Sequence, residues 1–148
     1  MTNRDQAYLI SSNMLKEHLD DSKIVLVDIG AEAAYSKGHI PGAIMLLDDY
    51  ERNSETGLVH TFPPDRFAAT CEALGISDDT QVVVYDNNLS LYAARFWWVL
   101  NYYGHQRVRV LDGGWRGWVT EGLPISFERT MPNQNLRFTP SIDNSLIV

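Results

Sequence analysis

The chain has 148 residues, 45% of them hydrophobic and 21% charged, with a formal net charge of −7. That length and balance suit one globular domain with a full core and exclude a largely disordered chain. The acidic balance, with Arg107 and Arg109 as the densest basic pair, argues against nucleic acid and anionic membranes as partners. Met1 to Ile10 shows no charged n-region leading into a long apolar stretch, so no secretory signal is expected. No run of ~18 apolar residues is available for a membrane span. The single cysteine, Cys71, rules out an internal disulfide framework, and a cytoplasmic setting is expected.

In chain order, Tyr8–Ile10 reads as a short edge strand, and Ser12 as the cap of a helix carrying Met14, Leu15 and Leu19. Ile24–Val27 is a β-branched strand ending at Asp28, Ile29 and Gly30. Ala31–Lys37 reads as a short helix stopped by Gly38. Ala43–Leu47 is a second strand, after a Pro-Gly turn. Pro64–Leu74 is a helix with proline in its first turn and Gly75 beyond its end. Gln81–Tyr85 is the clearest buried strand. Leu91–Tyr103 is a helix apolar on nearly every face, which predicts burial all round. Val108–Leu111 is the last strand, running into Asp112, Gly113 and Gly114, and Trp115–Glu121 is a final short helix. This alternation predicts an α/β fold: a five-stranded, mostly parallel sheet with helices on both faces.

Residues 1–127 are expected to form the domain. Residues 128–144, polar and aperiodic with Pro132 and Pro140, read as a linker. The apolar run in residues 145–148 reads as the first strand of a second domain; the alternative is a tail folded back on the first.

Parallel α/β sheets place ligands beyond the carboxyl ends of their strands. Asp28, Asp86 and Asp112 stand at such ends. The stretch from Asp86 to Ser90 joins the best strand to the longest apolar helix, a natural place for a nucleophile or an anion cradle. Asp86 can instead cap the helix or accept loop amides. An aspartyl-phosphate mechanism would want a second acid two positions on, where Asn88 stands. Cys71 shares a helical face with Phe67 and Leu74, which favours an inert buried thiol over a nucleophile. His39, before a Pro-Gly turn, reads as a turn-holding residue more readily than a catalytic one. Asp28 and Asp112 read as braces at the sheet edge, and Trp97, Trp98 and Trp115 as core or interface aromatics. The four histidines and one cysteine show no metal-ligand spacing.

Three segments resemble the rhodanese family: Gly38-His39-Ile40-Pro41-Gly42-Ala43; Val82-Val83-Val84-Tyr85-Asp86 with Leu91 to Arg95 and Trp97-Trp98; and Val110-Leu111-Asp112-Gly113-Gly114-Trp115. Together they cover about residues 8–125 in the family's order, and are most similar to the first domain of tandem thiosulfate or 3-mercaptopyruvate sulfurtransferases. The resemblance implies Asp28, His39 and Asp112 as structural signature residues. Active members carry a cysteine directly after the Val-Val-Tyr strand, and its thiolate takes up sulfur as a persulfide. Here that position is Asp86, and Leu89 and Leu91 replace the usual glycine and cation.

The implied function is therefore that of a non-catalytic domain in a protein moving sulfane sulfur from thiosulfate or 3-mercaptopyruvate to cyanide or a thiol. Its expected partners are a C-terminal catalytic rhodanese domain of the same protein and a small anionic sulfur donor. No metal or organic cofactor is implied. The resemblance also points to Asp49 and His60, around a polar loop, as a pair facing the second domain's catalytic loop; a plain surface hydrogen bond is the alternative. The rival function is a stand-alone inactive module that binds a protein partner. A phosphatase reading fails on the same missing cysteine.

Overall fold

The computed structural model describes residues 8–46, 63–133, 136–143 and 145. Five strands form one sheet: β1 (Leu9–Ile10), β2 (Ile24–Ile29), β3 (Ile44–Met45), β4 (Gln81–Asp86) and β5 (Val108–Leu111). Their order is β1-β5-β4-β2-β3, and every pairing is parallel. Among the described residues five helices connect and cover them: α1 (Ser12–Glu17), α2 (Glu32–Ser36), α3 (Pro64–Ala73), α4 (Leu91–Tyr102) and α5 (Gly114–Thr120). The expected α/β class, sheet and strand number all hold.

Strand alternation sorts the core into two layers. Val25, Val27, Val82, Val84, Val108 and Val110 pack with Phe67 and Cys71 of α3 and with Phe96 and Val99 of α4. Leu26, Val83, Tyr85 and Leu111 pack on the other face with Leu15 of α1, Tyr35 of α2 and Trp118 of α5. A valine or leucine fully buried in such a layer contributes about 1.5–3 kcal/mol. The two layers decide where a site can form. After β2 the chain turns to the α2 layer and on to β3. After β4 it turns to the α4 layer and on to β5. The loops leaving these neighbouring strands diverge and open a crevice at their carboxyl ends, where open α/β sheets take ligands.

Three local features differ from the sequence expectation or add to it. The α1 cap is Ser11, not Ser12: Ser11 Oγ accepts the Met14 N–H at 3.1 Å. Ser12 lies inside the first turn, buried, with its hydroxyl unbonded among the described residues. Helix α4 is not buried all round. Ala93, Phe96, Val99 and Leu100 face the core, while Leu91 and Tyr92 in the first turn are exposed. Finally, the polar stretch after Leu123 runs along the domain. Ser126 exchanges backbone hydrogen bonds with His39, Ser141 N–H donates to Tyr103 O, and the ring of Phe138 is buried beside Phe67.

Candidate functional site

Strand β4 ends at Asp86, a residue only 1% exposed. One oxygen, Oδ1, accepts the N–H groups of Asn88 at 2.8 Å and Ser90 at 2.9 Å. The other, Oδ2, accepts the N–H of Ala93 in the first turn of α4 at 2.8 Å. The loop turns its amides inward because Leu89 (φ 56°) and Ser90 (φ 65°) both adopt the left-handed conformation. That conformation costs an L-residue roughly 1–2 kcal/mol, which charge-assisted bonds to the carboxylate offset. On the far side, Gly114 (φ +56°) lets the β5–α5 turn come close. A Cβ there would lie 2.9 Å from the backbone oxygen of Asp86.

The loop is thus an anion cradle whose anion is its own side chain. Its amides converge as they would on a bound or reacting anion, and Asp86 already occupies the focus. A carboxylate oxygen cannot retain transferable sulfur, and its charge opposes entry of thiosulfate or phosphate. A recess of about 70 Å³ remains, lined by Asp86, Asn87, Leu89, Ser90 and Arg116 among others. Leu89, at 87% exposed, covers little. Leu91, where the resemblance calls for a cation, is exposed as well.

Asp28 is the last residue but one of the neighbouring strand β2, paired in register with Tyr85. Its carboxyl is pushed above the usual range, first by burial. The Tyr85 hydroxyl and the charge of His39 pull it back, and Asp86 adds a smaller push upward. Tyr85 is itself held by the Ile40 N–H, which donates to its hydroxyl at 3.1 Å, and burial raises its pKa strongly.

His39 is fully buried and stacks on Tyr35, ring centroids 3.7 Å apart. Its ring nitrogens lie 2.8 Å from Tyr35 O and 2.7 Å from Glu128 O. The ring therefore joins α2 to the strap after Leu123 and lies away from the Asp86 cradle. Asp112 is exposed, and its backbone N–H bonds Ile10 O on β1.

Cys71 is fully buried in the α3 layer, and burial raises its thiol well above the ordinary value. Asp49 and His60 lie outside the described residues. Trp97 donates its ring N–H to Val108 O and Trp98 stacks on Tyr102, whereas Trp115 lines the crevice. Among the described residues no three His, Cys, Asp or Glu side chains form a metal-binding group, and no helix is long and apolar enough to cross a membrane. Sequence reasoning did not reach Tyr85, Tyr92 or Gly114 as site residues. The signal for Tyr85 and Asp28 was their place at the ends of two β-branched strands, which only the observed register turns into a contact.

Residues 11–121 match the rhodanese-like domain family. The chain belongs to that family. It is 38% identical to the sulfur carrier protein TtuD of Thermus thermophilus over 122 residues, 81% of this chain and 42% of that protein. It is 39% identical to the thiosulfate sulfurtransferase of Cricetulus griseus over 120 residues, 79% of this chain and 40% of the relative. The 3-mercaptopyruvate sulfurtransferase of Escherichia coli K12 matches at 32% over 127 residues, 78% of this chain and 45% of the relative. A crystal structure of a 3-mercaptopyruvate sulfotransferase from Escherichia coli superposes with a TM-score of 0.79 at 29% identity, covering 92% of this chain and 56% of that one. This rhodanese-like chain therefore spans less than half the length of these curated relatives.

Proposed function

We propose that this chain is the non-catalytic rhodanese-like domain of a sulfurtransferase that works in the cytoplasm, its persulfide cysteine lying in a second rhodanese domain of the same protein. The observation that carries the reading is Asp86: it stands in the nucleophile position and its own carboxylate takes three of the amides there, those of Asn88, Ser90 and Ala93. The one cysteine, Cys71, is buried and held as a poor thiolate, which removes it as a substitute. Relatives named as thiosulfate and 3-mercaptopyruvate sulfurtransferases, each more than twice the matched length, support the chemistry and the existence of a further domain.

In the parent protein the second domain's thiolate would attack the outer sulfur of thiosulfate. The S–S bond breaks, sulfite leaves with its electron pair, and the persulfide passes sulfur to cyanide or a thiol. With mercaptopyruvate the donor's C–S bond breaks instead, its electron pair leaving with carbon as the enolate of pyruvate, which then takes up a proton. This chain would supply structure and one wall of the cleft, with Asp49 and His60 on that wall and residues 128–144 leading to the catalytic domain. It brings no metal or organic cofactor to the reaction.

The test is sulfur transfer from thiosulfate to cyanide, and from mercaptopyruvate to a thiol, with the pure chain. Turnover should not exceed background, and Cys71 should resist thiol reagents until the fold is melted. Robust turnover that vanishes in Cys71→Ser would overturn the proposal. Asp86→Cys alone should stay slow, because Leu89 and Leu91 leave the loop without its glycine and cation. His60→Ala and Asp49→Asn in the full-length protein should lower turnover at constant melting temperature; unchanged turnover in both would leave the pair as loop structure.

A further inference from the structure

The crevice between the β2 and β4 loops holds a cavity of about 200 Å³. Asp28 and Tyr85 lie within it, Trp115 and Tyr92 wall it, and Gly30 and Asn88 lie along its edge. We propose that this cavity binds an organic monocation, an ammonium or methylated ammonium head on a slim carbon stem, with Asp28 as counter-charge and the three aromatic rings as its wall.

The first argument is the state of Asp28. Its side chain belongs to a residue only 9% exposed, and a carboxylate can accept about four hydrogen bonds. Among the described residues the Tyr85 hydroxyl acts on it, and that hydroxyl is itself engaged by the Ile40 N–H. Burial raises the Asp28 pKa, so its charged form would gain from a cation placed beside it. The charged groups acting on it are His39, which offsets its charge, and Asp86, which adds to it. Gly30 leaves one oxygen uncovered: any side chain there would begin 3.2 Å from Asp28 Oδ1.

The second argument is the wall. The rings of Tyr85 and Trp115 lie near parallel, 26° apart with centroids separated by 6.3 Å. Tyr92, 49% exposed in the first turn of α4, stands at the open side. Aromatic faces are electron-rich and attract cations, ammonium and methylated ammonium groups above all. None of the described lining residues is basic, so nothing in the wall would hold an anion by charge. The third argument is size. Pockets for drug-sized ligands run to ~300–1,000 Å³, so this one takes a head group of a few heavy atoms. The chain's net charge of −7 favours the approach of a cation.

The test titrates the chain with three cationic probes: tetramethylammonium, n-butylammonium and the blocked tripeptide Ala-Lys-Ala. Each is set against a neutral match: tert-butanol, n-butanol and Ala-norleucine-Ala. Tryptophan fluorescence and amide NMR shifts report binding. Each cation should bind at least ~10-fold tighter than its match, the size of one ion pair plus a cation–π contact in a half-buried site. The shifts should map to Gly30, Asn88, Tyr92 and Trp115. Asp28→Asn should abolish the preference, and Tyr92→Ala should weaken cations several-fold while leaving melting unchanged. Equal binding of cations and neutral matches, or a preference that survives in Asp28→Asn, would overturn the proposal. Should Asp28→Asn fail to fold, an unaltered cation affinity in Tyr92→Ala would do the same. Tighter binding of the free ammonium ions assigns the site to a small metabolite; tighter binding of the lysine peptide assigns it to a protein side chain. Sulfur-transfer assays do not enter this outcome, so it stands or falls apart from the reading of Asp86.

Discussion

The loops that leave β2 and β4 each hold a buried carboxylate, and they treat it in opposite ways. Asp86 is bonded by the N–H groups of Asn88, Ser90 and Ala93 and is sealed in. Asp28, one strand away, has the Tyr85 hydroxyl as its polar neighbour and faces a cavity. One loop bends through two left-handed residues to bring its amides to the acid; the other is extended at Ala31 and leaves its acid to the crevice. The lesson is that a buried charge signals structure when backbone amides saturate it and a ligand when they do not.

Four changes would break or sharpen this contrast. Asp86→Ala should have the largest effect, because it orphans three inward-facing amides. A loss of about 3 kcal/mol is expected, a fall of roughly 6–12 °C in Tm by circular dichroism. Asp86→Asn should cost about half as much, since its oxygen can still serve Asn88 and Ser90 while its NH2 group opposes Ala93. If Asp86→Ala melted like the parent chain, the carboxylate would not be what organises the loop.

Gly114→Ala comes next, at about 2 kcal/mol, because φ is +56° and the new Cβ meets the Asp86 carbonyl oxygen at 2.9 Å. Leu89→Gly should go the other way. An exposed leucine at φ 56° contributes little burial, so glycine should stabilise by about 0.5–1 kcal/mol in urea unfolding. A destabilised Leu89→Gly would reveal a packing role for that side chain.

The smallest effect concerns pH and Asp28. Its folded pKa is raised, so the native state holds the proton more firmly than the unfolded chain. Stability assigned to this group is therefore present below the unfolded value, near 3.8, and is lost as pH rises through the raised folded value. Asp28→Asn should remove that loss. The Tm difference between variant and parent should shift in favour of asparagine as pH climbs just above 3.8 and then level off. A difference independent of pH across that window would show that Asp28 is as well partnered as Asp86.

Much of the fold was legible from the chain. Val82-Val83-Val84 can only be a central strand, and its two-sided burial follows from helices on both faces. The place of Asp86 was legible too, because a residue between a buried strand and a long apolar helix must meet that helix's free amides. Other features depend on distance rather than pattern. Ser11 and Ser12 are chemically alike, and only the start of the first turn decides which of them caps it. Leu91 and Tyr92 read as core by composition, but both lie in the first turn of the helix and are exposed, while Ala93 and Phe96 turn inward. The cavity at Asp28 needs two strands in register and two loops diverging, and neither is written in any local stretch.

Phe138 carries a consequence for how the domain comes into being. Its ring closes over Phe67 and His105, residues made much earlier, and Ser141 and Asp143 tie down the end of α4. At ribosomal speeds of ~5–20 residues per second, the 35 positions from Tyr103 to Phe138 take roughly two to seven seconds to synthesise. For that interval helices α3 and α4 are complete in sequence yet lack this cover, a window in which a nascent chain invites chaperones or its neighbours. Stalled chains that expose residues up to 133, set against chains that expose residues up to 143, should differ sharply in protease resistance.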